Sequence, residues 1–298
     1  MKLLDIENWI ENSPDNSTKA FRQAVHIILL AISKSPDLKS KMIFHGGLLL
    51  TLKYSGIRYT KDLDFATANK RADIDEEAFL NEMQQSLLES SETLPYGLAC
   101  KIQSSRIKPR GEGKHHQTLE INIGYAYKGT IDHQHLIRNN CTNVVKVDYS
   151  YNEINQNIEV LELIKGANIQ VYSLSDFVAE KYRAIIQQKT RNRIRRQDAF
   201  DIYWVLKNNF LRGNEIKNKI LKSFKVKSDS KGVSVDQFIL RDKDIIRRSQ
   251  TDYDSLAQEI DVDLPPFKDM YKIVQDYYES AISTHGRLKY CYQGLFFI

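Results

Sequence analysis

The stretch GGLLLTLKYSGIRYTKDLDF, residues 46–65, is the part of the chain whose reading decides the fold. A Gly46-Gly47 pair stands between an apolar strand-like run, residues 42–45, and a helix-like run, residues 48–54. Glycines at such a junction remove side chains where backbone N–H groups meet a phosphate at a helix N-terminus. Asp62 and Asp64 then alternate along a second strand-like run, residues 62–66. Residues two apart on a strand project from one face, so both carboxylates address one spot. That spot suits a hard divalent cation, which takes one or two protein carboxylates and completes its shell with waters and substrate phosphates. A lone D-x-D also fits one aspartate capping a loop and another in solvent; the upstream glycines tilt this pair towards a nucleotide site.

Working outward, Phe21, Val25, Ile28, Leu29 and Ile32 recur at helical spacing between Asn16 or Ser17 and the breaker Ser35-Pro36. The spacing predicts a helix packed beside the sheet. Downstream the pattern predicts a helix over about 76–89 and several strands between 96 and 171. Strands and helices interleave without a strict βαβ repeat, which predicts an α+β fold: a mixed sheet with helices on one side. In HQTLEINIGYAY, residues 116–127, Leu119, Ile121 and Ile123 share one face while Glu120, Asn122 and Gly124 share the other. Glu120 is thus a mid-strand carboxylate, either a ligand or one polar side of a half-exposed strand.

From Leu174 the chain turns helical. Ser173 and Asp176 resemble a capping box, and Leu174, Phe177, Val178, Tyr182, Ile185 and Ile186 form an apolar stripe. Lys181 interrupts that stripe, where it needs an anionic partner or must snorkel outward. The next helix carries Asp198 and Asp201 in its first turns, where the helix dipole favours acids whatever their use. SFKVKSDSKGVSV, residues 223–235, reads as a polar surface loop, Pro265-Pro266 as a breaker and residues 269–282 as helix. The expected organisation is a core with an N-terminal helix over 1–172 and a mainly helical domain over 173–298 that contributes Lys181 and Asp198 to the site.

Composition narrows the class. At 298 residues and 42% hydrophobic, the chain can bury one large or two modest cores. No run approaches the roughly 18 apolar residues of a membrane span, and acids stand early where a secretory signal is basic and then apolar. The expectation is a cytoplasmic protein with no membrane partner. Cys100, Cys141 and Cys291 are widely spaced and predict neither a disulfide framework nor a zinc site. The net charge of +5 concentrates in QQKTRNRIRRQD, residues 187–198, with Lys189, Arg191, Arg193, Arg195 and Arg196 close together. The run suits a phosphate-rich polymer bound in a salt-sensitive way, and equally a solvated loop. His115 and His116 read as loop residues rather than ligands. H-E-x-x-H, G-x-S-x-G and Walker-type motifs are absent from the sequence, as are internal repeats.

Two blocks, taken in order, resemble one family. The glycine pair followed by Arg58, Thr60, Asp62, Leu63, Asp64 and Phe65 resembles the nucleotidyltransferase motif of the AbiEii/AbiGii-type toxins, within the DNA polymerase β-like nucleotidyltransferase superfamily. VYSLSDFVAEKYRAII with RRQDAFDIYWVL is similar to that family's V-x-S-L-x-x-x-x-A-E-K segment and R-D-x-x-D helix. The resemblance spans roughly residues 43–206 and departs at Leu48, where most members carry Ser or Thr.

The resemblance implies a polymerase-β-like core in which Asp62 and Asp64 hold Mg2+ or Mn2+, with Glu120 as the matching third acid. It implies that Gly46, Gly47, Arg58, Thr60 and Lys181 bind the nucleotide, and that Asp198 orients Lys181 or contacts the metal's water shell. The implied reaction moves a nucleotide from an NTP to an acceptor hydroxyl and releases pyrophosphate. The implied context is the toxin of a type IV toxin-antitoxin or phage-defence system, paired with a DNA-binding antitoxin and acting on RNA, with the tRNA 3′ end as acceptor. Two alternatives stand beside it: transfer to a small-molecule or protein hydroxyl, and a non-catalytic RNA- or partner-binding module on the same fold.

Overall fold

The structure is a computed structural model and describes residues 2–109, 117–164 and 166–293; His115 and His116 lie outside the described residues. Its elements, in chain order, begin with β1 (Lys2–Leu3), α1 (Ile6–Glu11), α2 (Asn16–Lys34) and α3 (Pro36–Lys41). Next come β2 (Ile43–His45), α4 (Gly46–Tyr54), β3 (Asp62–Ala66), α5 (Glu76–Thr93), β4 (Leu98–Lys108), β5 (Thr118–Tyr127) and α6 (Ile131–Ile137). The sheet is completed by β6 (Val144–Ser150), β7 (Ile158–Ile164) and β8 (Ala167–Tyr172). The helices α7 (Leu174–Gln187), α8 (Arg196–Lys207), α9 (Asn214–Asp229), α10 (Lys243–Gln250) and α11 (Phe267–Gln293) follow.

The chain divides into two compact units. The first holds residues 1–55, 60–153 and 158–172; the second holds 56–59, 154–157 and everything from 173 on.

The first unit is built on one eight-stranded sheet in the order β1-β7-β8-β2-β3-β6-β5-β4. The sheet is mixed: β3 runs parallel to β6 and β2 to β8, while β2–β3, β5–β6 and β4–β5 are antiparallel. Alternation separates its faces. Leu63, Phe65, Val147, Tyr149, Leu119 and Ile121 are buried with residues of α2 and α5 in one core cluster. The Phe79 ring of α5 stacks on Tyr149 at 5.0 Å, and Phe44 meets Phe65 at 5.3 Å.

α2 starts where expected, capped by Asp15, whose carboxylate accepts from the Thr18 N–H at 2.8 Å. It ends before Ser35, which in turn caps α3, with Pro36 in its first turn. Polar residues share the buried length of α2. His26 meets the Tyr96 hydroxyl at 2.8 Å through Nδ1, and burial lowers its pKa to about 4, so it is neutral at ordinary pH.

The second unit is helical. The Ser173 hydroxyl accepts from the Asp176 N–H at 3.1 Å at the start of α7, as the capping pattern predicts. Of the stretch 223–235 expected to be a polar loop, residues 223–229 are instead the C-terminal half of α9, and a turn and loop follow only from Ser230. Ser223, Phe224, Lys227 and Ser228 are buried at helical spacing, and Lys227 Nζ donates to Ile154 O and Asn155 Oδ1, both at 2.9 Å. A buried lysine held by carbonyl oxygens, with the Glu180 carboxylate 3.9 Å away, looks solvated in a linear reading, which is why the pattern misled.

Candidate active site

The first unit presents a polar sheet face whose floor is laid out by strand register. β2 ends at His45, and the chain turns into α4 at Gly46 with φ +80°. A Cβ at Gly46 would lie 2.0 Å from Asp64 Oδ2, so glycine is required both by the backbone conformation and by the approach of the carboxylate. Gly47 is buried in the first turn of α4, and Leu48, 2% exposed, joins the core. A helix residue at that point packs inward, which accounts for an apolar side chain there.

His45 pairs in register with Asp64, Asp64 with Asp148, Asp148 with Glu120, and Glu120 with Arg106. One row thus crosses five strands. The neighbouring row sets Asp62 opposite Lys146 and Lys146 opposite Asn122. His45 stacks on Tyr172 with ring centroids 4.7 Å apart and planes 17° apart. Asp62 is exposed and Asp64 half-buried, while Thr60 is half-buried ahead of β3.

Glu120 lies one strand beyond Asp148, away from the doublet. Its side chain is 3% exposed and ion-paired with Arg106 and Lys108 of β4. Burial pushes its carboxyl up, but the bonds from Lys108 and Arg106 outweigh burial and hold it below the usual range. The acid set directly beside Asp64 is Asp148, which the sequence reading passed over. Its signal was present in VVKVDYS, where Lys146, Asp148 and Ser150 alternate with Val145, Val147 and Tyr149 just as Glu120 alternates on β5.

Among the described residues no three or more His, Cys, Asp or Glu side chains gather closely enough to hold an ion. Asp62 and Asp64 alternate on β3, which puts them on one face of the strand without a third such side chain gathered beside them among the described residues. A hard cation that keeps its waters and binds substrate phosphates fits such a pair, and the glycine backbone against Asp64 leaves that edge clear of side chains.

In the second unit a buried charge network joins residues far apart in sequence. Lys181 Nζ donates to Asp198 Oδ1 at 2.6 Å and to Asp201 Oδ2 at 2.8 Å. Arg58 donates to both oxygens of Asp201, at 3.0 Å from Nε and 3.2 Å from Nη2. Arg58 also lies 3.7 Å from Glu259, which Arg196 approaches at 2.9 Å, and Arg195 lies 3.4 Å from Asp198. Residues 56–59 belong here because Arg58 bridges Ile260 and the Tyr59 N–H donates to Glu259 O at 2.7 Å.

Burial opposes the charge on Lys181, and Asp198 and Asp201 overcome it and hold its pKa above the usual value. Burial likewise works against the Asp201 carboxylate, and Arg58 and Lys181 overcome it and hold its pKa down. Both groups therefore stay ionised. Asp201 is the more central of the two α8 acids at 1% side-chain exposure, against 10% for Asp198. Of the basic run, Arg195 and Arg196 are half-buried in this network and Lys189 pairs with Asp242 at 3.1 Å, while Lys189, Arg191 and Arg193 are exposed.

A mixed sheet with a glycine turn set against Asp64, in a chain that continues into a helical unit, is the arrangement that the sequence resemblance implies for a nucleotidyltransferase. The chain belongs to the AbiEii family, the nucleotidyl transferase toxins of type IV toxin–antitoxin systems, whose pattern matches residues 27–279. It is accordingly a nucleotidyltransferase of toxin type.

No curated protein matches the chain. Solved structures share its fold at low identity. JHP933 from Helicobacter pylori has a TM-score of 0.53 at 14% identity over 95% of this chain and 99% of its own. MenT4, a nucleotidyltransferase toxin from Mycobacterium tuberculosis, has a TM-score of 0.53 at 14% identity over 93% of this chain and 88% of its own. Among the described residues no helix is long and apolar enough to cross a membrane.

Proposed function

We propose that this chain moves a nucleotide from an NTP to a hydroxyl of RNA, with the tRNA 3′ end as acceptor, in a reaction that depends on Mg2+ or Mn2+. The observation that carries the reading is the contact of Asp64 with the Gly46 backbone on the sheet face that Asp62 shares. The acceptor hydroxyl attacks the α-phosphorus, its proton passes to solvent, and pyrophosphate leaves. Asp62 and Asp64, with Asp148 in place of Glu120 as the third acid, would hold the cation. When bound, the cation lowers the hydroxyl's pKa and stabilises charge on the entering and leaving oxygens.

The backbone at Gly46 and Gly47 faces the triphosphate without side-chain bulk. Lys181 supplies a point charge to the phosphates, kept ionised and oriented by Asp198 and Asp201. Arg58 acts one step back, by holding Asp201, rather than on the nucleotide itself. Lys189, Arg191 and Arg193 form the exposed cationic track for RNA. A cognate antitoxin fits the family to which the chain belongs.

Purified protein incubated with Mg2+, labelled NTPs and total RNA tests the reading. Label should enter tRNA and fall to background for Asp64→Ala, whose melting temperature stays at or above wild type because a like-charge neighbour is removed. Label entering only protein or small molecules would change the acceptor class. Absence of transfer with salt-sensitive RNA binding intact would leave a binding module. For the acceptor itself, Lys189→Ala/Arg191→Ala/Arg193→Ala should flatten the salt dependence of RNA binding by a slope of about 2, at about 0.7 per single-strand phosphate contact.

A further inference from the structure

Lys146 stands inside the acidic floor of the sheet, where the reaction described above gives it no task. Its Nζ lies 2.8 Å from Asp148 Oδ2 and 3.7 Å from Glu120 Oε2. On the other side it pairs in register with Asp62, whose charge also acts on it. Glu120 does not depend on it, since Arg106 and Lys108 already bond that carboxylate. Asp148 does, because Lys146 is its one ion-pair partner among the described residues.

Neighbouring strands run about 4.8 Å apart, so Asp64 and Asp148 would repel each other strongly without a nearby cation. Lys146 is 35% exposed on a flexible four-carbon stem, which lets its ammonium leave without disturbing β6.

We propose that Lys146 is an exchangeable counter-ion of this carboxylate row, holding Asp148 until a divalent cation settles beside Asp62 and Asp64, takes over Asp148 and releases the ammonium to solvent. The inference rests on the metal reading under "Proposed function". Two positive charges compete for one carboxylate, so each weakens the other's hold. Lys146 thereby keeps the acidic floor folded before the cation arrives and sets how tightly the cation binds. It is a positioning residue and touches no reacting atom.

The test is Mn2+ binding to the full chain, followed by the electron paramagnetic resonance of the free ion, together with thermal melts with and without Mn2+. Wild type, Lys146→Met, Lys146→Arg and Asp64→Asn are compared. Lys146→Met should bind Mn2+ about tenfold more tightly, within the usual range of coupling between competing ligands. It should melt below wild type after chelation and recover most of that gap with saturating Mn2+. Lys146→Arg, which keeps the charge, should stay near wild type in both respects. If Lys146→Met does not fold after chelation, Lys146→Gln is read in the same way.

Unchanged or weaker Mn2+ affinity in Lys146→Met or Lys146→Gln would overturn the exchange while leaving the metal site standing, provided Asp64→Asn abolishes binding. Loss of nucleotide affinity with unchanged Mn2+ affinity would assign Lys146 to the phosphates alone and likewise overturn it. If wild type binds no Mn2+ that Asp64→Asn can remove, the metal reading fails and the exchange falls with it.

Discussion

Single residues fix the local geometry within each unit. Gly46 adopts φ +80° with its absent Cβ 2.0 Å from Asp64 Oδ2, so Gly46→Ala meets two penalties together. The left-handed backbone costs about 1–2 kcal/mol for an L-residue, and the carboxylate must move as well. The variant should lose stability in a denaturant melt and lose transfer further still; full transfer in Gly46→Ala would show that the Asp64 position does not matter. Asp201 is the corresponding residue in the second unit. Asp201→Asn removes the carboxylate between two buried cations, and breaking such a network costs roughly 3–5 kcal/mol. Urea unfolding should register that loss, and a change below about 1 kcal/mol would mean that water compensates Arg58 and Lys181. Both residues are visible in the sequence, but their partners are not. A glycine shows its freedom without showing which carboxylate leans on it, and an aspartate in a first helical turn looks the same whether it serves the helix dipole or a lysine on the helix before it.

Elements with regular alternation were the most legible. β3 and β5 announce their faces by the two-residue period, and α2 and α7 by apolar spacing and their end signals, because those periods follow from backbone geometry alone. What alternation cannot supply is strand order, and strand order determines which acids are neighbours. Glu120 and Asp148 sit on similar alternating strands, yet β6 lies beside β3 and β5 does not. The strand pair β4–β5 yields a prediction of its own. Because Glu120 has its pKa held below the ordinary 4.5 in the folded chain, its ion pairs add stability above that value and lose it as pH falls through the lowered folded value. Wild type should therefore lose stability on acidification from pH 5 to 3 more steeply than Glu120→Gln, as read by denaturant melts across that range. Parallel curves would mean that Arg106 and Lys108, about half exposed, are screened by solvent. α9 shows the opposite case: its inward side is dressed in Ser223, Lys227 and Ser228, so the amphipathic signal fails although the helix is well packed.

At the scale of the molecule, the chain does not pass from one unit to the other at a single boundary. Residues 56–59 and 154–157 are counted with the helical unit although long stretches of the first unit lie on either side of them. The second of these detours is held by Asp176, a fully buried carboxylate that accepts from the Asn157 N–H at 2.6 Å and the Gln156 N–H at 3.3 Å. Asp176→Ala leaves those donors without partners at roughly 1–3 kcal/mol. Hydrogen exchange should quicken at Gln156 and Asn157 while the amides of β3 and β6 stay protected; unchanged exchange at Asn157 would show that the detour is held some other way. By itself the sequence determined the glycine turn, the aspartate doublet, the mixed strand and helix composition and the family, since these rest on local spacing and on residue types few in number. Only the tertiary structure decided that Asp148 stands next to Asp64, that Lys146 occupies that acid and that Arg58 reaches Lys181 through Asp201. Each of those relations joins residues brought together by strand pairing or helix packing, and separation along the chain carries no measure of that distance.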